Sequence, residues 1–139
     1  MNVEELMFGN YVYLDYPDGH RVIMKVTGII GNTVHGVSSD NSPRGGDAGM
    51  VKPIPLTTDI LEKIGFSKST PPPGIHARCY DLDNKKDRYH LTIADYNKYK
   101  RLLLNVDSED SECFNIKCDY VHELQLALVV CKIKKTITL

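Results

Sequence analysis

The sequence predicts an α+β protein: an N-terminal SH3-like small β-barrel, a linking helix, and a C-terminal antiparallel sheet with one covering helix. Three observations lead there. From Asn10 to Ile54, short apolar runs alternate with turn residues; from Thr57 to Ile64, capping signals enclose an apolar face; and from Ile75 onward strand-like runs return and end in a helical period after Asp119. The divisions that follow are a barrel at 1–55, a linking helix at 56–66, a Pro-rich connector at 67–74, and a sheet plus helix at 75–139.

In the first region, Tyr11-Val12-Tyr13-Leu14 is strand-like, Pro17-Asp18-Gly19 is a turn, and Val22-Ile23-Met24-Lys25-Val26 resumes the strand. Gly31-Asn32 then separates Ile29-Ile30 from Thr33-Val34-His35-Gly36-Val37. Gly28 within a strand-like run marks a bulge or sharp bend, the device that curls a small sheet toward a barrel. Ser38 to Gly49 has almost no apolar content and reads as a loop before a last short strand at Met50 to Ile54.

The helix is the best-specified element. Thr57 is a good N-cap, Asp59 sits in the first turn where the helix dipole favours negative charge, and Ile60, Leu61 and Ile64 share a face. Gly65 ends it in the left-handed conformation, which brings Phe66 back onto Leu61. Ser67 to Gly74 follows as an extended connection.

In the second region, Ile75 to Leu82 and Arg88 to Ala94 flank the polar turn Asp83 to Asp87. Tyr99 to Val106 and Phe114 to Cys118 are further strands on either side of the acidic turn Asp107 to Glu112. Asp119 caps a closing helix whose apolar residues recur at Val121, Leu124, Leu128 and Cys131, and Ile133 to Leu139 reads as a short edge strand.

Composition excludes several function classes. With 17 Lys+Arg against 18 Asp+Glu, a formal charge of −1 and 42% hydrophobic residues, the 139-residue chain is neither disordered nor a polybasic nucleic-acid binder. No apolar run approaches the ~18 residues of a membrane span, and Glu4 and Glu5 stand where a signal peptide needs basic then apolar residues. The expected setting is cytoplasmic, with no membrane partner. Cys79, Cys113, Cys118 and Cys131 form no C-x-x-C pair; a zinc site would need Cys113 and Cys118 completed by His76 and Cys79, and reduced thiols packing as small hydrophobes are the favoured reading.

The order Leu6, Gly9-Asn10-Tyr11-Val12, then Val51-Lys52-Pro53-Ile54-Pro55-Leu56-Thr57 with Ile60-Leu61 and Ile64-Gly65-Phe66, and finally Tyr120-Val121-His122-Glu123-Leu124-Gln125, resembles a family of small uncharacterised proteins of gut Bacteroidetes, many of them in prophage or mobile-element neighbourhoods. The matching stretches are short and mainly structural. What the resemblance implies is a bacterial, cytoplasmic protein; it carries no activity with it.

Motifs for catalysis or cofactors fail on inspection. His122-Glu123 opens a zincin pattern, but Leu126 stands where the second metal-binding His belongs. Asp81, Asp83 and Asp87 imitate a calcium loop, yet Lys85 replaces an oxygen ligand. Gly45-Gly46 is followed by Asp47 rather than the Gly-Lys-Ser/Thr of a phosphate loop. The sequence therefore gives no catalytic residue, metal ligand or cofactor.

One constellation points to a ligand. Arg78, Tyr80, Lys85, Lys86, Arg88, Tyr89, Lys98, Tyr99, Lys100 and Arg101 interleave cations with aromatic rings, the combination that grips single-stranded nucleic acid by backbone charge and base stacking. Alternating Tyr and Lys equally describes an ordinary half-buried sheet. The leading expectation is a non-catalytic binding or adaptor protein of a bacterial mobile element, acting on a protein partner or by self-association. The alternative is a single-stranded nucleic-acid binder using the Arg78 to Arg101 face.

Overall fold

The computed structural model describes residues 2–71, 73, 74, 76–86, 89–106 and 113–139. Among the described residues the fold is α+β and mostly strand, with two five-stranded antiparallel sheets and two α-helices. The chain divides into two compact units, residues 1–55 with 120–139, and residues 56–119. No helix among the described residues is long and apolar enough to cross a membrane.

In the first unit, a 3-10 turn (Val3–Glu5) precedes β1 (Tyr11–Asp15), β2 (Arg21–Ile30), β3 (Thr33–Ser38), β4 (Pro43–Asp47) and β5 (Val51–Lys52), which lie in the order β4-β3-β2-β1-β5. Strand alternation sends Val12, Leu14, Met24, Val26, Val34 and Val51 to one face, where they form a core with Leu6. The pairing of β2 with β3 shifts register between Val26 and Gly28, the position at which the sequence predicts a bulge.

Stretch 38–49 departs from the loop that its composition predicts, because 43–47 pairs with β3 over its whole length. The pairing uses backbone groups alone, so no apolar signal marks it. β4 ends at Asp47 and β5 begins at Val51, yet they occupy opposite edges of the sheet. Four flat inter-strand steps span ~19 Å, whereas the chain from 47 to 51 reaches at most ~14 Å, so the sheet curls strongly. Gly46 allows this approach: a Cβ there would lie 2.8 Å from Leu14 Cδ1 on β1. β4 and β5 do not pair, and the described strands form no closed barrel.

The closing helix α2 (Val121–Val130) belongs to this first unit. This corrects its expected place over the C-terminal sheet. Helical spacing identifies an apolar face without naming the surface that receives it. Val121 N–H donates to Ile54 O at 2.9 Å, and Pro55 bridges Tyr120. Tyr120, not Asp119, precedes the first helical residue, and its N–H donates to Glu123 Oε1 at 3.2 Å. The Asp119 carboxylate instead accepts the Lys100 N–H at 2.7 Å. The helix ends with Ile133 N–H donating to Leu128 O and Lys132 N–H to Val129 O, with Lys132 at φ 57°. That is a Schellman ending with lysine in the left-handed position that glycine favours. Residues 133–139 form no strand, contrary to the edge-strand expectation.

The second unit comprises α1 (Thr58–Ile64), β6 (Ser67–Ser69), β7 (Arg78–Asn84), β8 (Tyr89–Asp95), β9 (Lys100–Val106) and β10 (Cys113–Lys117), with strand order β10-β9-β8-β7-β6. α1 therefore belongs with the second sheet rather than standing as a separate linker. Its caps are as expected: Thr57 Oγ1 accepts the Ile60 N–H at 3.3 Å, Gly65 has φ 120°, and Phe66 N–H donates to Leu61 O at 2.9 Å. The first residues of the expected connector form β6, paired to β7. Leu61, Ile64 and Phe66 are buried, as are Tyr80, Leu91, Ile93 and Leu102 from the sheet. The acidic turn at 107–112 lies outside the described residues.

Candidate functional site

The cationic and aromatic residues of 78–101 are distributed by the register of β7, β8 and β9. Arg78 pairs with Asp95, which pairs with Lys100, while Lys85 and Lys86 sit exposed in the turn that follows β7. Each strand has seven residues, so roughly 20 Å separates the two ends of the sheet. The structure thus brings Arg78, Lys98, Tyr99, Lys100 and Arg101 to one end and leaves Lys85 and Lys86 at the other; Arg88 lies outside the described residues.

The tyrosines divide in the same way. Tyr80 is 1% exposed and its hydroxyl lies 2.7 Å from Thr58 Oγ1, and Tyr89 is buried with its hydroxyl accepting from Asn84 Nδ2 at 3.3 Å. Neither ring presents a face for base stacking. Tyr99, 45% exposed, stacks on Tyr96 with centroids 5.0 Å apart, and the Arg101 guanidinium lies 5.6 Å from the Tyr99 ring. The turn beneath is closed by Tyr96 N–H donating to Tyr99 O, while Arg78 bonds to Asp95 and Asn97. Tyr96 and Asn97 escaped the sequence reading. An aromatic residue beside a left-handed asparagine turn, here φ 73°, is the signal that marks them.

On the face opposite Tyr80, Asp81, Asp83, His90 and Thr92 form a cross-strand polar ladder. Thr92 Oγ1 donates to Asp81 at 2.7 Å, and the two His90 nitrogens lie 3.7 Å from Asp81 and 3.9 Å from Asp83. Each carboxylate faces a different nitrogen, which is geometry for ladder stabilisation. Among the described residues, no three His, Cys, Asp or Glu side chains are placed to hold a metal ion. Cys79 lies buried beside this ladder, and burial, aided by Asp81, pushes its thiol up and away from nucleophilic character. Cys131 is pushed up by burial in the same direction.

The first unit holds a different kind of surface. Gln125 on α2 accepts the Tyr11 N–H at 2.9 Å and donates to Gly9 O at 2.9 Å, fixing the helix across the start of β1. Asn10 Oδ1 accepts the Met7 N–H at 2.7 Å, shaping the 7–10 turn that carries Phe8 outward. Phe8 is 74% exposed and Val129 63% exposed, and both line a cleft of about 160 Å³ floored by Gly9, Asn10 and Gln125. Lys25 and Lys135 also line it, and no carboxylate does.

Beside this cleft on α2, His122 is 4% exposed, stacks on Tyr120, and keeps its Nε2 3.9 Å from Glu5. Its Nδ1 has no hydrogen-bond partner, and burial lowers its pKa from 6.5 against the opposing pull of Glu123 and Glu5. Nothing in the sequence pattern marked this cleft, because its residues come from both ends of the unit. Comparison with known proteins gives no match to a family model, a curated protein or a solved structure.

Proposed function

We propose that the protein is a non-catalytic binding module that takes a protein partner on its first unit. The observation that carries this reading is the pair Phe8 and Val129, large apolar side chains left in solvent at the rim of one cleft. A soluble surface rarely spends contiguous apolar area without a use. Strand order β4-β3-β2-β1-β5 and the short reach from β4 to β5 support reading this unit as SH3-like, a scaffold suited to presenting such a surface. A cytoplasmic adaptor of a bacterial mobile element, as the family resemblance implies, fits the buried thiol of Cys79, which forms no disulfide.

A second reading has its own observation. Tyr96, Tyr99 and Arg101, with Lys98 and Lys100, leave one exposed aromatic and cationic corner that suits single-stranded nucleic acid. It is the weaker reading, since Tyr80 and Tyr89 are buried. A displayed library of random 12-residue peptides, selected on the full chain and counter-selected on the Phe8→Ser, Val129→Ser variant, tests the first. Enriched peptides that the variant does not retain are expected. Absence of enrichment, or equal retention by the variant, overturns it.

A further inference from the structure

The segment after α2 has a regular burial pattern. Ile133, Lys135, Ile137 and Leu139 are partly or fully buried, while Lys134, Thr136 and Thr138 are exposed, the alternation of an extended chain lying on a surface. Ile137 is 5% exposed. Yet among the described residues the one hydrogen bond made by 134–139 is local, from Lys135 N–H to Ile133 O at 3.0 Å. Beyond Ile133, whose N–H is bound to Leu128 O, side chains alone hold this strap in place.

The strap runs between two hollows. Ile133, Lys135 and Ile137 border the cleft of about 160 Å³, and Thr138 and Leu139 border a second of about 250 Å³ lined by Tyr11 and Ile23 on the outer face of β1 and β2. Lys25 lines both, and neither is lined by Asp or Glu. The carboxylate nearest in sequence to the second hollow, Asp40, does not line it; hydrogen bonds from the Ser38 hydroxyl and the Ser42 N–H hold its pKa down at about 2 and keep it ionised outside the hollow. The strap therefore adds Lys135 to a cleft that Lys25 also lines, with no carboxylate among the lining residues. Like charges at one site repel, and two cations with no lining carboxylate weaken docking.

We propose that the strap is a charge-mismatched, displaceable occupant of a groove that takes an extended acidic segment of a partner protein, apolar at the positions of Ile133, Ile137 and Leu139 and carrying a carboxylate at the position of Lys135. This rests on the reading of the first unit as a protein-binding surface and names the partner's chemistry. An acidic segment gains the attraction to Lys25 that the strap lacks. The strap acts as a competitor, reducing apparent affinity by the fraction of molecules in which it is docked.

The test uses anilinonaphthalene sulfonate, an apolar probe with one negative charge, on the 139-residue chain. Ile137→Ser releases the strap and is expected to tighten probe binding by about threefold or more, with unchanged far-UV circular dichroism. Lys135→Glu pairs the strap with Lys25 and is expected to weaken probe binding relative to wild type; it also serves if Ile137→Ser fails to fold. Adding Lys25→Glu to Ile137→Ser is expected to remove the gain. Wild-type affinity in Ile137→Ser overturns the strap, and wild-type affinity in Lys135→Glu overturns the charge mismatch. A gain that survives Lys25→Glu overturns the acidic partner. None of these failures touches the peptide selection on Phe8 and Val129, so they are separable from failure of the binding reading itself.

Discussion

Gln125 and Tyr11 stand 114 positions apart, and the side-chain oxygen of the first accepts the backbone N–H of the second at 2.9 Å. With Gly9 O receiving the amide N–H of the same side chain, one residue seals both groups at the floor of the cleft. Gln125→Leu leaves the half-buried Tyr11 N–H and Gly9 O without these partners. The expected loss in urea unfolding is about 2–4 kcal/mol at unchanged m-value. A loss below about 0.5 kcal/mol would show that water replaces both bonds.

His122 makes the stability of the first unit pH-dependent. Burial lowers its folded pKa below 6.5, so between that lowered value and 6.5 the unfolded chain binds more protons than the folded one. Stability is then complete above about pH 7 and declines as pH falls through 6.5 toward the folded pKa. Glu5 and Glu123 limit the decline by favouring the imidazolium. Thermal unfolding of wild type and His122→Gln from pH 7.5 to 5.5 should show a falling midpoint in the first and a flatter profile in the second. The lowered carboxylates Asp15 and Asp40 add their own loss only at more acidic pH.

Lys132 occupies a left-handed position, φ 57°, at the end of α2. A side chain there costs ~1–2 kcal/mol, part of which returns through the greater freedom of glycine when unfolded. Lys132→Gly should raise stability by about 0.5–1 kcal/mol by chemical denaturation. Destabilisation would mean that the lysine side chain contributes contacts of its own.

Tyr80 and Tyr99 separate structure from surface in the second unit. Tyr80→Phe removes the 2.7 Å bond to Thr58 at the start of α1 and should cost about 1 kcal/mol. Tyr99→Ala removes an exposed ring and should change stability by no more than about 0.5 kcal/mol. Matching large losses in both variants would contradict the assignment of Tyr99 to solvent.

What the sequence made legible is local. Thr57, Gly65 and Phe66 act within one turn of one helix, so the ends of α1 could be read from residue types, and Gly28 announced the bulge beside it in β2. β4 could not be read that way, since Arg44-Gly45-Gly46 pairs through its backbone and needs no apolar residue. Tyr80 and Tyr99 carry one residue signature; the pairing of β7 buries the first, and the turn before β9 exposes the second. The cleft depends on Gln125 meeting Gly9 and Tyr11 across most of the chain, a relation that no window of sequence contains.

The most direct measurement of the central claim is fluorescence anisotropy of two labelled probes with the 139-residue chain at low and high salt. One is the peptide Ile-Lys-Glu-Thr-Ile-Thr-Leu, the strap sequence with glutamate in place of Lys135; the other is a single-stranded oligonucleotide. The account predicts saturable peptide binding that Lys25→Glu abolishes, and no oligonucleotide binding at low salt. Oligonucleotide binding lost in the Lys98→Glu, Arg101→Glu variant, with no response to the peptide, would contradict it.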